Sequence, residues 1–359
     1  MQGWLTRKTA ADQESSTATV RPGCGQVLVV GGAGYIGSML CRRLLEHGRK
    51  VRVLDRMLYS DASIRDLCVF PNFEMIAADW RDSSAAASAF SGVRDVVHLA
   101  AVPGGARDGA SLLRESHAPM RAFALAARAK GVERFVLASS CAVYGEPASA
   151  VTEATRLRPS SLFARLASAA ETSALEAAND AFHPTVLRLA HVFGLSWRPR
   201  WDLLVHLFAA KAHISRQIHV SNGAQWRPFV HVRDVADGIV RVLRADPNVA
   251  AGEIFNLGDR RLTHTLSGVA DRVRVQFPGT SIERSTTGDA HHRRVSFDKI
   301  LARLGFESAL PLEYGIHELR VALESGAQVY RDGQEYFDTE GICESEEWLD
   351  SQTASAYTA

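Results

Sequence analysis

Glycine recurs at Gly31, Gly34 and Gly37, directly after the apolar run Val27-Leu28-Val29-Val30. The run reads as a buried strand entering a tight turn of a kind that can cradle phosphate. A side chain at the first glycine would obstruct the turn, one at the second would hold a pyrophosphate off the backbone, and one at the third would push the next helix off the sheet. The free N–H groups at the start of that helix, around Tyr35 and Ile36, then face the phosphates. Ser38 to His47 reads as an amphipathic helix that Gly48 can end, and Val51-Arg52-Val53-Leu54 as a second buried strand ending on Asp55. An acid about 20 residues beyond such glycines accepts hydrogen bonds from the ribose hydroxyls of an adenosine. Asp55 therefore favours NAD over NADP, although the adjacent Arg56 could hold a 2′-phosphate.

The elements that must position this turn alternate regularly. Phe73 to Ala78 reads as a third strand ending at Asp79, Ser83 to Phe90 as a helix, and Val96 to Ala101 as a fourth strand. A long helix from Leu112 to Lys130 ends at Gly131, Phe135 to Ser140 is a fifth strand, and a helix from about Ser161 to Asn179 precedes a sixth, Thr185 to Leu189. Such alternation predicts an α/β fold, a Rossmann-type doubly wound parallel sheet with right-handed crossovers. Beyond Gly194 the alternation breaks into a Trp/Arg/Pro cluster from Trp197 to Trp201, an apolar helix from Leu203 to Ala212 and a turn at Asn222-Gly223. A smaller C-terminal substrate-binding lobe is expected there. The expected organisation is a disordered leader over residues 1–25, an NAD-binding domain over 26–190, the lobe mainly over 191–315 with segments near 230–258 returning to the first sheet, and an acidic tail over 316–359.

Bulk composition narrows the class further. The 359 residues are enough for one large α/β unit or two lobes with a core to match. A net charge of +1 gives no global pull toward nucleic acid or an anionic membrane, so anion binding must be local. Cys24, Cys41, Cys68, Cys141 and Cys343 show no metal-ligand spacing, and their odd number suits a reducing cytoplasm. No window reaches the length that spans a bilayer, so a soluble protein is expected. From Arg331 onward acids dominate, which reads as a solvated tail.

Read in order, Gly31-x-x-Gly34-x-x-Gly37, Asp55, Asp79, His98-Leu-Ala-Ala101, Ser139-Ser-Cys-Ala-Val-Tyr-Gly145, Arg188-Leu-Ala-His-Val-Phe-Gly194, Arg227-Pro-Phe-Val-His-Val-Arg-Asp234 and Asn256-Leu-Gly258 form a set. The set resembles the extended short-chain dehydrogenase/reductases, closest to their nucleoside-diphosphate-sugar epimerases and dehydratases, from about Gln26 to Phe306. The resemblance implies NAD as cofactor, a nucleotide sugar or other phosphorylated small molecule as ligand, and a dimer formed through the two long helices. For the cofactor it implies contacts from the glycine turn, Tyr35, Ile36, Asp55, Arg56, Asp79, Trp80, Leu99, Ala100, Ala101 and Ser139. For the substrate it implies Ser140, Tyr144, His191, Arg227 and one or both of Arg293 and Arg294, the arginines gripping a diphosphate because guanidinium is always charged and matches phosphate oxygens in pairs.

One departure outweighs the matches. The family carries a Tyr-x-x-x-Lys pair on the helix after the fifth strand, four residues after a Pro and four before a Glu. Pro159 and Glu171 fix that register here, and the two positions hold Phe163 and Ala167. The missing phenol would move the proton as hydride passes between a sugar carbinol and the nicotinamide, and the missing ammonium would lower the phenol pKa from near 10 toward neutrality. Cys141 and Ala142 stand where the resembling 4,6-dehydratases carry Asp and Glu, which counts against that reaction. Ser140 matches the family's Ser/Thr that hydrogen-bonds the reacting sugar oxygen. His191 could titrate near neutral pH, and Cys141 could serve as nucleophile or acid. The expected activity is therefore epimerase- or lyase-like, run by Ser140 with His191 or Cys141. Two rivals stand beside it: an NAD-binding pseudoenzyme partnering an active paralogue, and a non-redox isomerase or lyase on a non-sugar metabolite with NAD as a structural fixture. His291 and His292 lack a third ligand at metal spacing, so no metal is expected.

Overall fold

In a computed structural model, residues 25–58, 60–100, 109–147, 149–286 and 293–326 are described, with only the backbone described over 109–117. The 1–25 leader thus lies outside the described residues but for Gly25, as do Ala101, His291, His292 and the chain from 327 onward.

Strand β1 (Gln26–Val30) sends Val27 and Val29 to one face of the sheet and Leu28 and Val30 to the other, all buried. A strand apolar on both faces belongs in the middle of a parallel sheet covered by helices. After it come α1 (Tyr35–Glu46), β2 (Val51–Asp55), β3 (Phe73–Ala77), α2 (Ser83–Ala89), β4 (Val93–His98), α3 (Gly109–Ala129), β5 (Arg134–Ser140), α4 (Leu162–Glu176) and β6 (His183–Leu189). Much later, β10 (Ile254–Leu257) pairs with β6 in parallel, Ile254 beside Val186. Among the described residues the sheet has seven strands in the order β10-β6-β5-β4-β1-β2-β3. The order reverses at β1, where a crevice opens beyond the strand ends and ligands of doubly wound sheets bind.

Between β6 and β10 the chain builds a second unit. It comprises β7 (His191–Phe193), α5 (Leu204–Ile214), β8 (Gln217–Ser221) and β9 (Trp226–His231), with α6 (Val232–Arg244) and the short α7 (Pro247–Ala250) leading back to β10. Helix α6 packs on α1 of the first unit. After β10 come β11 (Thr263–Thr265), α8 (Leu266–Gln276), β12 (Ser281–Ser285), α9 (Asp298–Leu304) and α10 (Leu312–Glu324). The lobe core joins Phe208 and Ala209 of α5, Val269 and Val273 of α8, and Leu312, Ile316 and Leu319 of α10. This corrects the tail expected from 316. Apolar residues at helical spacing bury one face of α10, and the acidic residues that suggested a tail lie beyond it.

A buried ion pair staples α4 to the sheet. Glu171 accepts from Arg188 of β6 at 2.7 Å, 3.0 Å and 3.2 Å and also from the Ser139 hydroxyl. Arg188 in turn donates to the Tyr144 hydroxyl at 2.9 Å, and that hydroxyl donates to Asn256 Oδ1 at 2.7 Å. Both charges are 3 % exposed. Removing one partner strands the other in a dry site, a loss of about 3–5 kcal/mol. Glu171→Leu is expected to cost that much in urea unfolding, while a loss under 1 kcal/mol would mean that water reaches Arg188.

Candidate functional site

The glycine turn folds as its sequence demands. Gly31 has φ +82°, in the left-handed region that side chains rarely enter, and a Cβ on Gly37 would lie 2.2 Å from the Gly31 carbonyl oxygen. Gly34 differs, for a Cβ there would meet only that same oxygen, at 3.2 Å. Packing does not demand glycine at this place; its bare face opens onto the crevice. Gly34 is also the N-cap of α1 and offers no side-chain cap to the helix's first N–H groups. Uncapped donors beside a cleared backbone fit the diphosphate of a dinucleotide.

Asp55 lines the same cleft, its Oδ2 accepting from Ala33 N and its Oδ1 from Met57 N, both at 3.0 Å. These two bonds orient the carboxylate and leave lone pairs for ribose hydroxyls. Arg56 is paired with Asp79 at 3.5 Å, and Asp79 also accepts from Arg81 at 2.6 Å. The Arg81 hydrogen bond, with Arg56 behind it, holds the Asp79 carboxyl below its usual range. Asp79, expected at the cofactor, spends its charge on these arginines. Trp80, Leu99 and Ala100 line the cleft.

Tyr35 is buried, and its hydroxyl donates to the Gly194 carbonyl at 2.7 Å. His206 Nε2 donates to the same oxygen at 3.0 Å, so the start of α1 and the lobe share one acceptor. Sequence reasoning missed Arg198 and Arg200, which reach the cleft from the lobe. Their only signal was the Trp/Arg/Pro cluster, which carries no spacing rule.

The sheet brings part of the expected catalytic set together. Ser140 ends β5 paired with Leu189 of β6, two residues before His191 begins β7. Ser140 Oγ accepts from Ala142 N at 3.1 Å, a bond that uses a lone pair and leaves the hydroxyl hydrogen to donate. The Ser139 hydroxyl, expected at the cofactor, donates to Glu171. His191 pairs with Phe229 of β9, and Arg227 lies two residues earlier on the same face of that strand. Arg293 closes the group from a later segment, its Nε donating to the Gly145 carbonyl at 3.1 Å. Arg294 is exposed and stacks on Trp226 at 5.1 Å.

Two expected roles fail on burial, and a third is shifted by its surroundings. The Cys141 thiol is enclosed, lies 3.3 Å from the Arg188 carbonyl, and is pushed up to about 12 by desolvation, so it is a core filler and no nucleophile. Tyr144 is 1 % exposed, its phenol raised to about 12 by burial and held between Arg188 and Asn256, so it cannot reach a substrate. Desolvation, then the charges of Arg293 and Arg227, hold His191 well below its ordinary pKa. An imidazole shifted toward its neutral form beside two guanidiniums can exchange hydrogen bonds with an anion they attract. Helix α4, packed on β5 and on the 3-10 turn Cys141–Tyr144, carries Phe163 largely at the surface and Ala167 half-buried. Among the described residues no cluster of His, Cys, Asp or Glu is arranged to hold a metal ion, and no helix is long and apolar enough to cross a membrane.

Comparison with known proteins meets this geometry. The chain is 26% identical over 347 residues to the dTDP-L-rhamnose 4-epimerase of Burkholderia thailandensis, covering 82% of this chain and 94% of the relative. It is 27% identical over 338 residues to the dTDP-glucose 4,6-dehydratase of Streptomyces niveus, covering 87% and 95%. The structure of UDP-glucuronic acid 4-epimerase from Bacillus cereus in complex with NAD superposes with a TM-score of 0.75 at 21% identity, over 84% of this chain and all of that one. The sequence model described as the NAD dependent epimerase/dehydratase family matches residues 27–258, from β1 through the last strand of the main sheet. A phosphate cradle at the reversal of the sheet and an acid at the ribose end thus belong to a whole domain of that kind: the chain is a member of the NAD dependent epimerase/dehydratase family, and its cofactor is NAD.

Proposed function

We propose that this protein holds NAD together with a nucleotide-diphosphate sugar, and that it has given up the ordinary exchange of hydride between a sugar carbinol and the nicotinamide. The observation that carries this reading is α4, where Phe163 and Ala167 occupy the positions assigned by resemblance to the proton-moving Tyr and its Lys. NAD bound in the crevice would supply the hydride acceptor. The chain must supply the base, and the described groups near Ser140 are poorly suited to it: Cys141 and Tyr144 are buried and stay protonated at neutral pH, while desolvation and two guanidiniums lower the basicity of His191. A positioned acid/base is worth roughly 10²–10⁴-fold, the loss expected for the standard reaction.

Arg227, Arg293 and neutral His191 support a diphosphate as the ligand group, which weighs against a non-sugar metabolite without phosphate. One observation favours a surviving reaction: Ser140 and His191 leave adjacent strands, so a lyase step needing only hydrogen bonds is compatible with the site. The test is to denature freshly purified protein and identify the released small molecules by mass spectrometry. NAD with an intact nucleotide sugar is the expected result. NADH with a keto-sugar product would overturn the loss of hydride transfer, and release of NAD alone, with no uptake of any nucleoside diphosphate, would overturn the sugar ligand.

A further inference from the structure

The loop between β7 and α5 crosses from the lobe to the cofactor crevice, and its two ends are anchored on different units. At one end the Trp197 ring lies under the Arg42 guanidinium of α1, 4.0 Å away, and Arg42 itself is held by the Ser38 and Ser63 carbonyls at 2.9 Å and 2.8 Å. At the other end Trp201 is buried in the lobe core, edge-on to His206 at 6.0 Å. Between the anchors Arg198 and Arg200 line the same cavity as Gly31, Gly34, Ile36 and Gly37. The charge of Arg200 also bears on the Tyr35 phenol at the first turn of α1.

We propose that Arg198 and Arg200 bind the NAD diphosphate from the lobe side, opposite the α1 N–H groups, so that the 197–201 segment straps the cofactor between the two units. The inference rests on the cofactor assignment and adds to it two charged ligands outside the glycine turn. Backbone N–H groups and a helix dipole satisfy one side of a diphosphate; its remaining oxygens face the lobe, and guanidinium forks suit them. Asp202 holds one edge of the Arg200 guanidinium in a two-point ion pair, Oδ1 accepting from Nε at 2.8 Å and Oδ2 from Nη2, and so orients the rest of the group. A strap pinned at Trp197 and Trp201 also makes cofactor release depend on lobe movement, so the dissociation rate is the sensitive readout.

The experiment titrates NAD and adenosine separately into cofactor-stripped protein by calorimetry and follows exchange of labelled NAD from loaded protein. Arg198→Gln with Arg200→Gln is expected to weaken NAD binding about 10–100-fold and to speed exchange similarly, leaving adenosine binding unchanged because adenosine lacks the diphosphate. Asp202→Asn separates ligation from loop structure, since it removes the partner and keeps the guanidinium. NAD affinity held within about threefold in Asp202→Asn supports ligation. An equal loss in Asp202→Asn and the double variant, or a parallel loss for adenosine, would overturn it. Unchanged NAD affinity in the double variant overturns the arginine assignment alone, whereas natural protein that takes up no NAD overturns the cofactor assignment with it.

Discussion

Phe163→Tyr combined with Ala167→Lys is expected to raise the rate at which nucleotide sugars reduce bound NAD by about 10²–10⁴-fold over the natural chain. The two positions are one helical turn apart and share a face of α4, which Glu171 and Arg188 already hold rigidly on the sheet. Phe163 is 37% exposed, so adding a hydroxyl to its ring costs little in stability. Ala167 is half-buried against the core face that carries the glycine turn. A lysine there can lay its stem on that surface and bring its ammonium beside the new phenol. Phe163→Tyr alone should gain much less, because a phenol with pKa near 10 and no neighbouring cation is mostly unable to act as a base at neutral pH. The measurement is the absorbance of reduced nicotinamide over a panel of UDP- and dTDP-hexoses. Natural protein already reducing NAD at a rate that neither substitution changes would show that another group moves the proton.

Acid should unfold the protein steeply, and buried histidines set the slope. His98 ends β4 wholly enclosed by Trp80, Phe123 and Phe135, and burial drives its pKa from 6.5 to about 3. His206 in the lobe is lowered from 6.5 to about 4, chiefly by burial, against the weaker pull of the Gly194 hydrogen bond and Asp202. Both are neutral in the fold and protonate in the unfolded chain below 6.5. Their contribution is therefore complete above pH 6.5 and is lost as the pH falls toward the folded values. Each costs about 1.4 kcal/mol per pH unit, so the pair removes roughly 6 kcal/mol between pH 6.5 and 4, a large part of a typical folding free energy. Carboxylates held low by arginines, such as Asp79 and Glu74, act in the same direction only nearer their own ordinary pKa values. Urea unfolding of cofactor-free protein across this range should show the decline, and His98→Phe should reduce the slope by that residue's own share, about 1.4 kcal/mol per pH unit. The imidazole nitrogens of His98 have no hydrogen-bond partner among the described residues, so an apolar ring sacrifices nothing at neutral pH. A slope unchanged in His98→Phe would mean that His98 protonates inside the fold.

What the sequence determined by itself was local. Gly31 and Gly37 were legible because a positive φ and a 2.2 Å approach are demands that one turn makes on its own residues. Asp55 was legible as a residue of the same cleft because a strand of fixed length leads to it from that turn. Strand and helix order followed from apolar runs and periodicity, since each element buries its own face before it meets a neighbour. Phe163 and Ala167 were legible on one helix, with Pro159 just before it and Glu171 within it, and resemblance assigns those two positions to a Tyr/Lys pair. Tertiary structure decided how deep a side chain lies and which distant charges reach it, and neither property has a short-range signature. Cys141 and Tyr144 follow Ser140 in sequence as though they shared its site, yet the turn after β5 folds them under α4, where desolvation keeps both protonated. Arg227 and Arg293 stand far apart in the chain and converge on His191 because β9 pairs with β7 and the Arg293 segment docks on β9, and their charges with desolvation lower the imidazole pKa. Arg198 and Arg200 reach the cofactor crevice, and α10 reaches the lobe core, through crossings of the chain that no residue pattern announces.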